Sequence, residues 1–210
     1  MNSFFSGEGT FARFMNLVWD LILISMLWFF LSLPVVTLGA ASTAAYYAAA
    51  KVIRFHTGHI IPEFFRSFRL NFKQSTLFSM ICILIFAILV FDCIYFYSTN
   101  SFLFSLFCLM MAMTLGCMLY FFPLLSRFHM RTFSLFRMAA VLMFRHLFTT
   151  ILLLVLLISV FLAMYAAPWS VLVAPGAAAL AWVYLMEPIL RKCAPTPQEG
   201  SEESAKWYYQ

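Results

Sequence analysis

Charge is what this sequence has least of. Only 10% of its 210 residues are Asp, Glu, Lys or Arg, against roughly a quarter in soluble domains. With 64% hydrophobic residues and a mean hydropathy of +0.94, a water-soluble fold would lack the polar surface to cover itself. Signatures of catalysis are missing too. The chain has no Ser nucleophile elbow, no H-E-x-x-H, no Walker lysine loop and no dinucleotide fingerprint. Its apolar runs hold scattered Ser and Thr but few titratable groups, so a chain that is not an enzyme, with no cofactor and no metal, is expected. Cysteine is sparse: the five are Cys82, Cys93, Cys108 and Cys117 inside apolar runs and Cys193 in a basic flank. No spacing among them suggests a disulfide framework or a zinc site, and free thiols behaving as small hydrophobes are expected. Before the first apolar run the only positive charge is Arg13, and the run is bulky (Trp19, Trp28, Phe29, Phe30). It reads as a retained span rather than a cleaved leader.

What the sequence does have is long apolar runs, and about 20 such residues cross a bilayer as a helix. The first run extends from Leu17 to Leu33 and stops at Pro34. Clear spans follow near Ser75–Tyr97, Phe102–Ser126, His146–Ala166 and Ser170–Pro188. Between the first run and these lies Pro34–Arg54, rich in Gly, Ala, Ser and Thr. Small residues let helix backbones approach closely in lipid, so this segment is predicted to be an internal helix that either crosses or re-enters. The fold class expected is an all-α polytopic transmembrane bundle of about five or six membrane helices, arranged as up to three successive hairpins, plus interfacial amphipathic helices. Residues 1–193 form the membrane domain. The tail 194–210, with Pro195, Pro197, Gly200 and three Glu, is expected to be a disordered cytoplasmic segment.

The net charge of +5 and pI of about 9.1 would suggest nucleic acid in a soluble protein. Here the cations gather in short stretches between apolar runs, which fits anionic lipid and the positive-inside rule instead. Lys51, Arg54, Arg66, Arg69 and Lys73 fill one joint; Arg127, Arg131, Arg137 and Arg145 fill another; Arg191 and Lys192 follow the last span. The C-terminus is therefore expected in the cytoplasm. The N-terminus is expected there too if Pro34–Arg54 crosses, and outside if it re-enters.

Two stretches look interfacial. On a helix over Ile61–Lys73, Phe64, Phe65, Phe68 and Phe72 fall to one side and Arg66, Arg69 and Lys73 to the other. This predicts either a lipid anchor or a surface that docks a cytoplasmic partner such as the ATPase of a transporter. Arg131–Arg145 is a weaker version, with Phe133, Phe136, Ala140 and Phe144 on one face.

Acidic residues in apolar runs are the remaining candidates, since a charge in lipid usually faces a cavity or the bundle interior. Asp92 is the best placed for an ion or ligand pathway. Asp20 shares a face with Asn16 and could pair with Arg13, and Glu187 lies four residues before Arg191 with Pro188 between. His56, His59 and Glu63 would converge as metal ligands only on an unbroken helix, which Gly58 and Pro62 oppose. A faint echo links Tyr120–Arg127 (YFFPLLSR) with Tyr184–Arg191 (YLMEPILR).

The stretch Leu31–Ala41, SLPVVTLGA at its centre, followed by Ala-Ala-Tyr, by Phe65-Arg-Ser-Phe68 to Lys73-Gln74, and by Tyr120–Leu124, resembles the YesL family of small bacterial membrane proteins. The resemblance implies a bacterial cell-membrane protein of uncharacterised function, and such proteins are often encoded beside carbohydrate ABC transporters. It makes a non-enzymatic accessory or regulatory role in carbohydrate uptake the expected function, with permease or ATPase subunits as partners. An independent small-solute transporter or channel is the alternative. In that reading Pro34 breaks a helix, Thr37 caps the next, Gly39 allows close packing, and the break lines a site.

Overall fold

The computed structural model describes residues 10–128 and 130–193. Every regular element among them is helical. The order is α1 (Thr10–Ser32), a 3-10 turn (Val35–Thr37), α2 (Leu38–Ala48) continuing as a π-turn (Ala49–Arg54), α3 (Ile60–Phe96), α4 (Ser101–Arg127), α5 (Thr132–Arg145), α6 (Leu147–Ala166), a second 3-10 turn (Pro168–Leu172) and α7 (Ala174–Cys193). Among the described residues four helices are long and apolar enough to cross a membrane: α1 from Ala12, α3, α4 and α6. The tail 194–210 lies outside the described residues.

Helix α2 is the centre. Ala40, Ala41, Ala44, Ala48, Ala49 and Ala50 are each fully buried, because α2 packs against α1, α3, α4 and α7 at once. Lipid supplies no hydrophobic drive for such contacts, so close packing of small side chains must provide it. The approach is tightest at Gly39, where an added Cβ would stand 2.7 Å from the Ser79 Cβ and 2.8 Å from the Ser75 carbonyl oxygen. Opposite α2, α3 presents a buried stripe of Ser67, Asn71, Ser75 and Ser79. These polar groups are satisfied on α3 itself: Ser75 Oγ donates to the Asn71 carbonyl at 2.7 Å, and Asn71 Nδ2 to the Ser67 carbonyl at 3.2 Å.

Helix α3 departs from the expectation of a separate interfacial helix followed by a span. It is one continuous helix of 37 residues, about 55 Å long at 1.5 Å per residue. The physical reason lies in α2, whose small-residue surface needs a partner along its whole length. Phe64, Ser67 and Asn71 supply it below the apolar part of α3. Phe64 is therefore fully buried and Phe68 packs on the core, while Phe65 and Phe72 stay exposed. The four rings do not share one lipid-facing side. Arg66, Arg69 and Lys73 do lie opposite the buried face and are exposed.

Helix α5 buries Leu135, Ala139, Leu142 and Met143, leaving Phe133, Phe136 and Phe144 exposed. The joint after α6 is longer than expected, because Pro168–Leu172 forms the 3-10 turn and α7 begins at Ala174. There the Gly176 N–H, one of the donors a helix start leaves without an intrahelical acceptor, bonds Ser25 Oγ of α1 at 2.8 Å. A Cβ at Gly176 would collide with the Leu21 carbonyl. At the start of α4, Asn100 caps the helix by accepting from the N–H groups of Phe102 (3.0 Å) and Leu103 (3.4 Å).

Candidate functional site

The most concentrated polar chemistry sits where α2, α4 and α7 meet. Arg127 at the end of α4 donates from Nη1 to Glu187 Oε2 of α7 at 2.7 Å, and the two side chains are 1% and 0% exposed. Tyr46 of α2, itself buried, donates its hydroxyl to Glu187 Oε1 at 3.3 Å. Both carboxylate oxygens are thus engaged, as a buried carboxylate requires. The Tyr46 ring meets Trp182 edge-on at 5.5 Å. The Trp182 indole N–H donates to the Leu119 carbonyl at 3.0 Å.

Local sequence explains that last bond. Pro123 lies inside α4 and has no N–H, so the carbonyl four residues earlier, Leu119, loses its helical donor; Trp182 replaces it. Pro188 inside α7 leaves the Tyr184 carbonyl without its helical donor. One residue earlier, Arg54 Nη1 donates to the Val183 carbonyl at 3.2 Å, and its guanidinium lies 4.9 Å from the Tyr184 ring. The π-turn at the end of α2 changes the helical register just where Lys51 and Arg54 leave it. Lys51 pairs with Glu63 at 2.7 Å, tying α2 to the first turn of α3.

On the other side of Trp182 is an apolar cavity of about 110 Å³, lined among others by Trp28, Ser42, Leu153, Phe161 and Pro175. Its polar groups are already matched, since the Trp28 indole N–H donates to Ser42 Oγ at 3.1 Å. Trp182 and Leu119 belong both to the cluster and to the cavity wall. Chemically, the cluster holds charge in place: a guanidinium and a carboxylate, out of water, pin three helices in one register.

The sequence-predicted residues are placed elsewhere. Pro34 ends α1, and Thr37 precedes α2 without capping it by its side chain. Its hydroxyl instead donates backward, to the Leu31 carbonyl and, at 2.8 Å, to the Pro34 carbonyl, so it ties the turn to α1. Gly39 serves close packing against α3. Asp92 is half-buried near the far end of α3. It lies about 20 Å along that helix from Ser79, the neighbour of Gly39, at 1.5 Å per residue. The fold does not bring Asp92 to the Pro34–Gly39 turn.

Glu187 pairs with Arg127 rather than Arg191, because α7 turns Glu187 into the core, where Arg127 is also buried, while Arg191 stays exposed. Asp20 makes no ion pair among the described residues; it lines a cleft with Arg13, Asn16 and His56. His56 (φ 52°) and Gly58 (φ 85°) take left-handed conformations, and α3 starts only at Ile60. The three residues His56, His59 and Glu63 therefore share no helix. Sequence reasoning missed the Arg127–Glu187 pair, although its signal was present: the two echoing stretches, Tyr120–Arg127 and Tyr184–Arg191, are the ones that meet.

Fold and site together define a helical membrane protein with a buried ionic clasp. Over residues 21–93 the chain matches the family described as "Protein of unknown function, DUF624". That match runs from mid-α1 to near the end of α3, so it includes Tyr46 and Arg54 but stops before Arg127 and Glu187. No curated protein and no solved structure matches the chain.

Proposed function

We propose that this chain is a non-enzymatic accessory or regulatory subunit of a membrane uptake system, of the carbohydrate ABC type, and that it docks its partner through the basic end of α3. The observation that carries this reading is the continuity of α3. The apolar core of a bilayer is about 30 Å thick, and a helix of 37 residues exceeds it by about 25 Å. The charged residues Glu63, Arg66, Arg69 and Lys73 assign most of the excess to the stretch Ile60–Lys73, about 20 Å of helix. That stretch is clamped by Phe64 in the core and by the Lys51–Glu63 pair. Phe65, Arg66, Arg69, Phe72 and Lys73 therefore form a rigid ridge of rings and cations standing clear of the lipid, suited to an acidic groove on a permease or ATPase subunit. The carbohydrate part of the reading rests on the resemblance to the YesL family.

In this reading the protein is a multi-pass component of a bacterial cell membrane. Six helices cross as three hairpins, both termini are cytoplasmic, and α5 lies in the interface with Phe133, Phe136 and Phe144 toward lipid. The alternative, an independent transporter or channel, would put Asp92 and the Pro34–Gly39 turn near one pathway; Asp92 lies about 20 Å along α3 from Ser79, the neighbour of Gly39.

The test is a pull-down of the tagged, full-length protein in mild detergent, with bound proteins identified by mass spectrometry. Near-stoichiometric permease or ATPase subunits are expected with the native chain and are expected to be lost with R66E/R69E/K73E. Recovery of the chain alone, or with itself only, sinks the stable-complex reading.

A further inference from the structure

At the end of the α3–α4 hairpin remote from the cations, the structure holds two thiols against one another. Cys93 Sγ lies 3.9 Å from Cys108 Sγ. The pair belongs to a regular antiparallel register: the Phe96 and Phe107 rings stack at 5.6 Å and the Tyr97 and Phe104 rings meet edge-on at 5.5 Å, one turn closer to the tip. The two sulfurs are therefore presented to each other by the packing of two helices, not by a loop. A disulfide needs about 2.05 Å between sulfurs, so the gap must close by about 2 Å, within the reach of side-chain rotation.

Access favours the same reading. Cys108 is exposed and Cys93 half-buried, whereas Cys82 and Cys117, further down the same two helices, are buried. Asp92, Tyr95 and Tyr97 bracket Cys93 with residue types of the membrane–water boundary.

We propose that Cys93 and Cys108 are a modification site, a dithiol that converts reversibly to an intramolecular disulfide by exchange with a disulfide oxidant such as oxidised glutathione or an oxidised thiol–disulfide oxidoreductase. Cys108, the more accessible, attacks the oxidant as thiolate after loss of its proton, forming a mixed disulfide and expelling one thiolate. Cys93, likewise deprotonated, attacks the Cys108 sulfur and expels the second. The two cysteines lose two electrons and two protons, and the oxidant disulfide gains them as two thiols. The product staples the tip of the hairpin, where the ring pairs Phe96–Phe107 and Tyr97–Phe104 already join α3 to α4. The free thiols expected from spacing alone are then one of two states of this pair.

The full-length protein carrying C82A/C117A/C193A, in detergent micelles, is treated with oxidised glutathione, denatured and alkylated with a maleimide, and its intact mass is read. The expected result is joint loss of both reactive thiols with a mass lower by two hydrogens and no retained glutathione, reversed by dithiothreitol. C93S added to that background should retain one glutathione on Cys108. Two retained glutathiones, or two thiols still open to the maleimide, overturn the proposal, because either shows that the sulfurs do not meet. Should the triple substitution unfold the chain, chymotryptic peptide mapping of the unsubstituted protein after oxidation decides instead: a cross-link joining Cys93 to Cys108 is expected, and its absence counts against the pair.

Discussion

Replacing Arg127 by Met is the most informative single perturbation of this fold. The substitution keeps the bulk of the side chain and removes its charge, leaving Glu187, which is 0% exposed, with the Tyr46 hydroxyl as its remaining hydrogen-bond partner among the described residues. Breaking a buried ion pair from one side costs roughly 3–5 kcal/mol, because the remaining charge stays out of water without compensation. For a chain of this size that is on the order of 10 °C in Tm. Removing both charges together is different in kind. R127M/E187M takes away the attraction and both desolvation penalties, which is often neutral or favourable by about 1–4 kcal/mol. Against that, Tyr46 loses its acceptor, at about 1–3 kcal/mol. The double variant should therefore lie within about 3 kcal/mol of the native chain. The two single variants and the double form a cycle whose coupling should be at least about 3 kcal/mol. Thermal unfolding in mild detergent, followed by Trp fluorescence, with SDS titration for free energies, reads all four proteins. Singles that melt within about 2 °C of the native chain, or a double that loses the sum of the singles, would refute the claim that these two charges compensate one another.

Other outcomes follow from the same packing. G39A should lower stability by about 1–3 kcal/mol, since its Cβ meets the Ser75 backbone at 2.8 Å. G176A should lower it further, because the obstacle there is the Leu21 carbonyl; equal melting of both variants and the native chain would remove close packing as their role. T37V discards the one hydroxyl proton that the Leu31 and Pro34 carbonyls share and should cost about 1–2 kcal/mol in the same melt, whereas a side chain of no structural use would leave it unchanged.

Much of this architecture was readable before any coordinates. Leu17–Leu33, stopped by Pro34, became α1, and the apolar run after Ser101 became α4 with Asn100 as its cap. The small residues of Pro34–Arg54 marked an internal helix. Periodicity over Ile61–Lys73 correctly put Arg66, Arg69 and Lys73 on an exposed face. It misassigned Phe64 and Phe68, because helical spacing reports which residues share a side and says nothing about whether lipid or another helix lies there. Thr37 was legible as a turn residue, but the direction of its hydrogen bonds was not, since the Leu31 and Pro34 carbonyls compete with the N–H groups of α2 for one hydroxyl. The Arg127–Glu187 clasp was the largest omission. A local reading pairs Glu187 with Arg191 four residues on, and only the crossing of α4 and α7 brings Arg127 nearer.

Composition alone determined that this chain is a helical membrane protein. In a bilayer every backbone polar group must be satisfied within the protein, and apolar runs of span length have no other stable arrangement. Tertiary structure decided which charges meet, which rings are buried and where α3 ends its contact with α2. Those outcomes depend on the height and crossing of helices far apart in sequence, held by close packing rather than by any local preference.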